Sequence, residues 1–251
     1  MKDTTTTIGA PELATQARLI EMFEQDLGYE FLGNKTDEDN SNIIPELLRA
    51  NLLNRKDKEG KPLYSKRLAD AAIVKLQSEA KDLSSGLYAA NKAVYSILKY
   101  GAKVQDEKGA IKTVMLIDWD EVGNNDYQIA EEVTVAGLYD KRPDLVIYVN
   151  GIALGLIELK RASVSVVKGI AQNIANHTKE MFIMPFFTTM QLLTAGNNSE
   201  GLRYGTIGTP AKKYLEWRHD GFGQHPDERD PVDVLIESKA AKFEEKLDSQ
   251  A

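Results

Sequence analysis

Arg142-Pro143-Asp144-Leu145-Val146-Ile147-Tyr148-Val149-Asn150-Gly151-Ile152-Ala153-Leu154-Gly155-Leu156-Ile157-Glu158-Leu159-Lys160 reads as two short apolar strands, Pro143–Val149 and Ile152–Leu159, joined by a hairpin signal. Both strands are apolar on both faces, as expected for central strands covered by helices on each side. An acid stands at the start of the first and an acid-x-lysine at the end of the second. Glu158 and Lys160 are two apart, so on a strand they share a face. Buried charges at strand ends are costly unless paired or metal-bound. Two carboxylates supply hard oxygen ligands for Mg²⁺, and a nearby ammonium can stabilise negative charge developing at a phosphate. That chemistry suits phosphodiester hydrolysis; the competing reading is a salt bridge at the mouth of a sheet.

Strand parity tests the idea. If Asn150-Gly151 alone formed the loop, Val149 would pair with Ile152 and Asp144 would oppose Ile157, turned away from Glu158. The site therefore requires an odd residue. A type I turn with Gly151 in a G1 bulge would supply it by pairing Tyr148 with Ile152.

Outward from this hairpin, the first hundred residues are mainly helical by periodicity: Pro11–Leu27, Ile43–Asn54, Tyr64–Leu83 and Leu87–Tyr100, with Tyr29–Gly33 as a short edge strand. Thr113–Trp119 and Gln128–Ala136 read as strands. Val164–Phe182 reads as a helix, Met190–Ala195 as a strand and Gly205–Gly208 as a strand or turn. The division is a loose start over 1–10, a main domain over 11–220 with a helical portion at 64–100, and 221–251 as a loop and a helix from Val232 to Leu247. This order predicts an α/β/α sandwich around a mixed sheet.

Composition narrows the function. The 251 residues contain no cysteine and three histidines (His177, His219, His225) at no metal-ligand spacing, which excludes disulfides and makes the histidines surface residues. Absence of a long apolar run and of a signal-peptide profile points to a cytoplasmic protein with no membrane contact. The net charge of −7 is unusual for a protein gripping DNA unaided. Partners delivering the DNA are the expectation, with Lys160, Arg161, Lys168 and Lys179 as a local phosphate-binding stripe or a solvated face.

The quoted run resembles the nuclease core of the R (restriction and motor) subunit of type I restriction-modification enzymes. The likeness extends to Gly28-Tyr29, Gln172, Gly201-Leu202-Arg203-Tyr204-Gly205-Thr206 and Trp217, over about residues 10–220. It implies a restriction-endonuclease-like PD-(D/E)xK fold and Mg²⁺-dependent cleavage of double-stranded DNA in association with methylation and specificity subunits. Asp144 and Glu158 would be the metal carboxylates, Lys160 the catalytic lysine, and Gln172 the glutamine of a Gln-x-x-x-Tyr element. Position 176 departs from that element with Asn. Glu12, with Gln16 one turn later, would be an accessory acid, against a plain helix-dipole role. Such subunits continue into an ATP motor; this sequence has no G-x-x-x-x-G-K-[ST] phosphate loop, so the expectation is a nuclease portion that binds no ATP. Alternatives are a stand-alone repair-type nuclease of the same fold and a catalytically idle assembly module.

Overall fold

The computed structural model describes residues 10–178 and 182–217. Five α-helices and nine strands follow the order α1 (Ala10–Gln25), β1 (Glu30–Asn34), α2 (Pro45–Asn54), α3 (Lys66–Lys81), α4 (Leu87–Tyr100), β2 (Ala102–Gln105), β3 (Ile111–Val114), β4 (Tyr127–Glu131), β5 (Leu145–Val149), β6 (Ile152–Leu159), α5 (Val166–Thr178), β7 (Leu192–Asn197), β8 (Gly201–Gly205) and β9 (Leu215–Glu216). Seven strands form a mixed sheet in the order β1-β4-β5-β6-β7-β8-β9; β2 and β3 pair separately. The parallel pairs are β1 with β4 and β6 with β7. This is the restriction-endonuclease-like α/β fold, and β1 lies at the sheet edge. The remainder of the expected terminal segments, including the helix from Val232, lies outside the described residues.

Alternation sorts side chains to two sides of the sheet. On one, Ile129, Leu145, Ile157 and Leu159 pack with Ile20 and Phe23 of α1. On the other, Val146, Tyr148, Leu156 and Leu193 pack with Ile183, Phe186, Phe187 and Met190. Next to them Val166, Val167 and Ile170 of α5 cover Ala195. A separate core joins α2, α3 and α4 to β2 and β3 and reaches the sheet at Ile152. No helix of the described residues is long and apolar enough to cross a membrane.

The hairpin between β5 and β6 corrects one expectation. Asn150 and Gly151 both have positive φ (53° and 75°), which makes the connection a two-residue primed turn rather than a type I turn with a G1 bulge. Val149 pairs with Ile152 and Tyr148 with Ala153, but Ile147 pairs with Gly155. Leu154 is therefore the odd residue, a β-bulge inside the strand. Beyond it parity is reversed: Ala153 and Leu156, three residues apart, belong to the same core. The turn itself is tightly held. Asn150 donates through Nδ2 to the Leu116 carbonyl at 2.8 Å and accepts from the Asp126 N–H at 2.7 Å. A Cβ on Gly151 would lie 2.7 Å from Leu47 Cβ, so glycine is required there for space as well as for φ.

Candidate active site

The Leu154 bulge decides which side chains meet. With Leu145 opposite Ile157, the next pair outward is Asp144 and Glu158, on one face at one end of the two central strands. Asp144 Oδ2 accepts the Leu159 N–H at 2.6 Å, across the two strands. Glu158 is only 1% exposed. Lys160 donates to Glu158 Oε1 at 2.6 Å and to the Leu159 carbonyl at 2.9 Å. Glu158 Oε2 is buried with no hydrogen-bond partner.

Electrostatics follow from burial. Removal from water raises the Glu158 carboxyl well above the usual carboxylate range; the Asp144 charge adds to this, and Lys160 only partly offsets it. Burial likewise raises Asp144, against the lowering effect of the Leu159 N–H and Lys160. Glu12 raises both carboxyls through its charge, so the start of α1 lies within electrostatic reach of the pair. A buried and a half-buried acid that resist joint ionisation are a site short of positive charge.

The residues fit a divalent cation. Among the described residues no three His, Cys, Asp or Glu side chains gather closely enough to enclose a metal ion, so a cation here would have two carboxylates as donors, with Glu12 farther out. Mg²⁺ is commonly held by one or two carboxylates while keeping several waters, and an unpartnered buried oxygen such as Glu158 Oε2 suits it.

Neighbouring elements shape the site. Gly169 on α5 lets the helix approach closely: a Cβ there would lie 3.0 Å from Ala195 Cβ and 3.5 Å from both Glu158 Cγ and Lys160 Cγ. Gln172 is three residues farther along α5 and half-buried, and Asn176, in the place of the expected tyrosine, is buried. Between them Asn173 donates to the Thr194 carbonyl at 2.9 Å. From α1, the buried Gln16 divides its amide between Glu131 Oε2 (3.1 Å) and Glu132 Oε1 (3.3 Å). Arg161 is half-buried and Lys168 exposed, while Lys179 lies outside the described residues.

The histidines need correction. His177 is 3% exposed rather than on the surface, because the buried stripe of α5 runs through its last turn and the ring packs on Phe187 at 5.4 Å. Burial pulls its pKa down. His219 and His225 lie outside the described residues. Sequence reasoning also passed over Glu131, Glu132 and Gly169. An isolated glycine inside a helical pattern signals close packing; the two acids at the end of β4 carry no such signal.

The family of the type I restriction enzyme R protein N terminus (HSDR_N) matches residues 10–212. The chain belongs to this family. A protein of Methanocaldococcus jannaschii provisionally named type I restriction enzyme MjaIXP endonuclease subunit is 29% identical over 133 residues, 50% of this chain and 13% of that protein. The Escherichia coli protein named type I restriction enzyme EcoprrI endonuclease subunit is 30% identical over 96 residues, 38% of this chain and 30% of that protein. The match thus spans less than a third of either relative. Asp144, Glu158 and Lys160 all fall inside the matched residues.

Proposed function

We propose that this chain carries the Mg²⁺-dependent endonuclease chemistry of a type I restriction enzyme R subunit and hydrolyses phosphodiester bonds of double-stranded DNA. The observation that carries the proposal is the Leu154 bulge, which sets Asp144 opposite Glu158 and leaves Glu158 Oε2 buried without a partner. The relatives' names as endonuclease subunits support the same reading.

Asp144 and Glu158 would hold the cation through the oxygens not engaged by Leu159 and Lys160. When bound, Mg²⁺ would supply charge neutralisation at the phosphate and acidify water. Lys160 spends two of its three N–H donors on Glu158 and the Leu159 carbonyl, which fixes the ammonium and leaves one donor for the attacking water or the phosphate. Gln172 would orient a water or phosphate oxygen from α5, and Glu12 would hold a water beside the cation. The chain would act with methylation and specificity subunits that bring the DNA to it; ATP would be bound elsewhere in a full-length subunit.

Plasmid cleavage tests the proposal. Asp144→Ala is expected to abolish both Mg²⁺ binding and cutting, and Lys160→Ala to suppress cutting while metal binding persists. Undiminished cleavage by Asp144→Ala would refute the nuclease reading.

A further inference from the structure

Arg142 opens the decisive stretch, yet the metal site does not use it. We infer that Arg142 is a phosphate-binding residue for the DNA backbone beside the site, positioned by Glu132; this rests on the nuclease reading above.

Glu132 is one of only two non-glycine residues with positive φ among those described, at 51°. The other, Asn150, is explained by its tight turn. Left-handed backbone costs a glutamate about 1 kcal/mol or more and persists only where the surroundings impose it. Here the Glu132 N–H donates to the Asp144 carbonyl at 2.8 Å, and Oε1 accepts from the buried Gln16 at 3.3 Å. The strained residue is thereby locked to the same backbone that carries Asp144. Its other oxygen, Oε2, lies 2.7 Å from Arg142 Nε.

That ion pair holds the guanidinium by one edge. The Arg142 side chain is 52% exposed, against 17% for Glu132. A guanidinium has five N–H donors in a planar fork suited to phosphate oxygens, so most of them remain for a ligand. Pro143, itself buried, confines Arg142 to extended backbone two residues before Asp144, and Glu132, the ion-pair partner of Arg142, lies close enough for its charge to act on Asp144. The charge balance calls for such a group. Glu12, Glu132, Asp144 and Glu158 act on or form the site and repel a phosphate, while the Lys160 ammonium has only one donor left beside Glu158 and the Leu159 carbonyl. A cation fixed at the rim and open to solvent meets the need.

Binding of the full chain to a fluorescein-labelled DNA duplex, followed by anisotropy in Ca²⁺ over a salt series, tests this. Arg142→Ala is expected to weaken binding roughly 10-fold and to lower the salt slope by about one counterion. Arg142→Lys should keep the slope but recover only part of the affinity, because an ammonium lacks the fork. Glu132→Gln should keep the slope and weaken binding, as expected of a positioning residue, and all three variants should melt like the parent. Parental affinity and slope in Arg142→Ala would overturn the inference, as would the absence of measurable binding by the parent. Cleavage retained by Asp144→Ala would instead sink the nuclease reading, so the two failures are distinguishable.

Discussion

Arg55 and Glu158 are both buried charged residues, and their surroundings could hardly differ more. In the helical half, Arg55 is 6% exposed and donates to Asn51 Oδ1 at 2.9 Å, the Met115 carbonyl at 2.7 Å and the Leu116 carbonyl at 3.1 Å. Those bonds tie α2 to the chain leaving β3. In the sheet, Glu158 is 1% exposed, one oxygen is paired to Lys160 and the other has no partner. The first charge is consumed by structure. The second retains unused capacity beside another acid, an arrangement that costs stability and makes sense where a cation completes it.

The largest expected effect would test the structural half. Arg55→Ala should destabilise the fold by about 3 kcal/mol, since it strands several buried acceptors at once. Urea unfolding measures it; a loss under about 1 kcal/mol would erase the contrast drawn between the two regions.

A smaller effect of opposite sign is expected in the site. Asp144 and Glu158 bind their protons more tightly in the folded chain than in the unfolded one. Their burial therefore costs nothing below the ordinary carboxylate range, and metal-free stability falls as pH rises from that range through the raised values. Asp144→Asn should raise stability at pH 8 by about 1 kcal/mol, a gain in melting temperature of about 3 °C that shrinks as pH falls toward 4. Melting at several pH values in a chelator reads this out. A variant less stable than the parent at pH 8 would mean that the acids are already compensated.

The smallest effect concerns Gly169. Alanine there gains helix propensity of about 1 kcal/mol but brings a methyl 3.0 Å from Ala195 Cβ, so net stability should change by less than about 1 kcal/mol. Metal affinity should nevertheless fall, because the methyl also presses on Glu158 and Lys160. Unchanged affinity would show that α5 has slack over the site.

The sequence made much of this contrast legible, but unevenly. Leu87–Tyr100 and Ile152–Leu159 match α4 and β6 at both ends, since long periodicity and a glycine stop mark the one and a turn and a lysine the other. The β2–β3 hairpin yielded only part of its second strand: four-residue strands are too short to show alternation. The need for an odd residue in the β5–β6 hairpin followed from parity alone. Its location did not, because a strand apolar on both faces has no alternation for Leu154 to interrupt, and Asn-Gly was open to either turn. Arg55 was lost in a charged turn, and no local pattern announces that its partners lie about sixty residues downstream.

Mg²⁺ calorimetry on the parent chain, Asp144→Asn and Glu158→Gln, from pH 6 to 8.5, tests the central claim that the bulge joins Asp144 and the buried Glu158 into one cation site. The parent should bind Mg²⁺ with release of protons and with affinity that rises with pH, because the cation must displace protons held by the raised carboxyls. Both variants should lose that binding together. Parental affinity in either variant, or binding in the parent without proton release at the lower pH, would contradict the account.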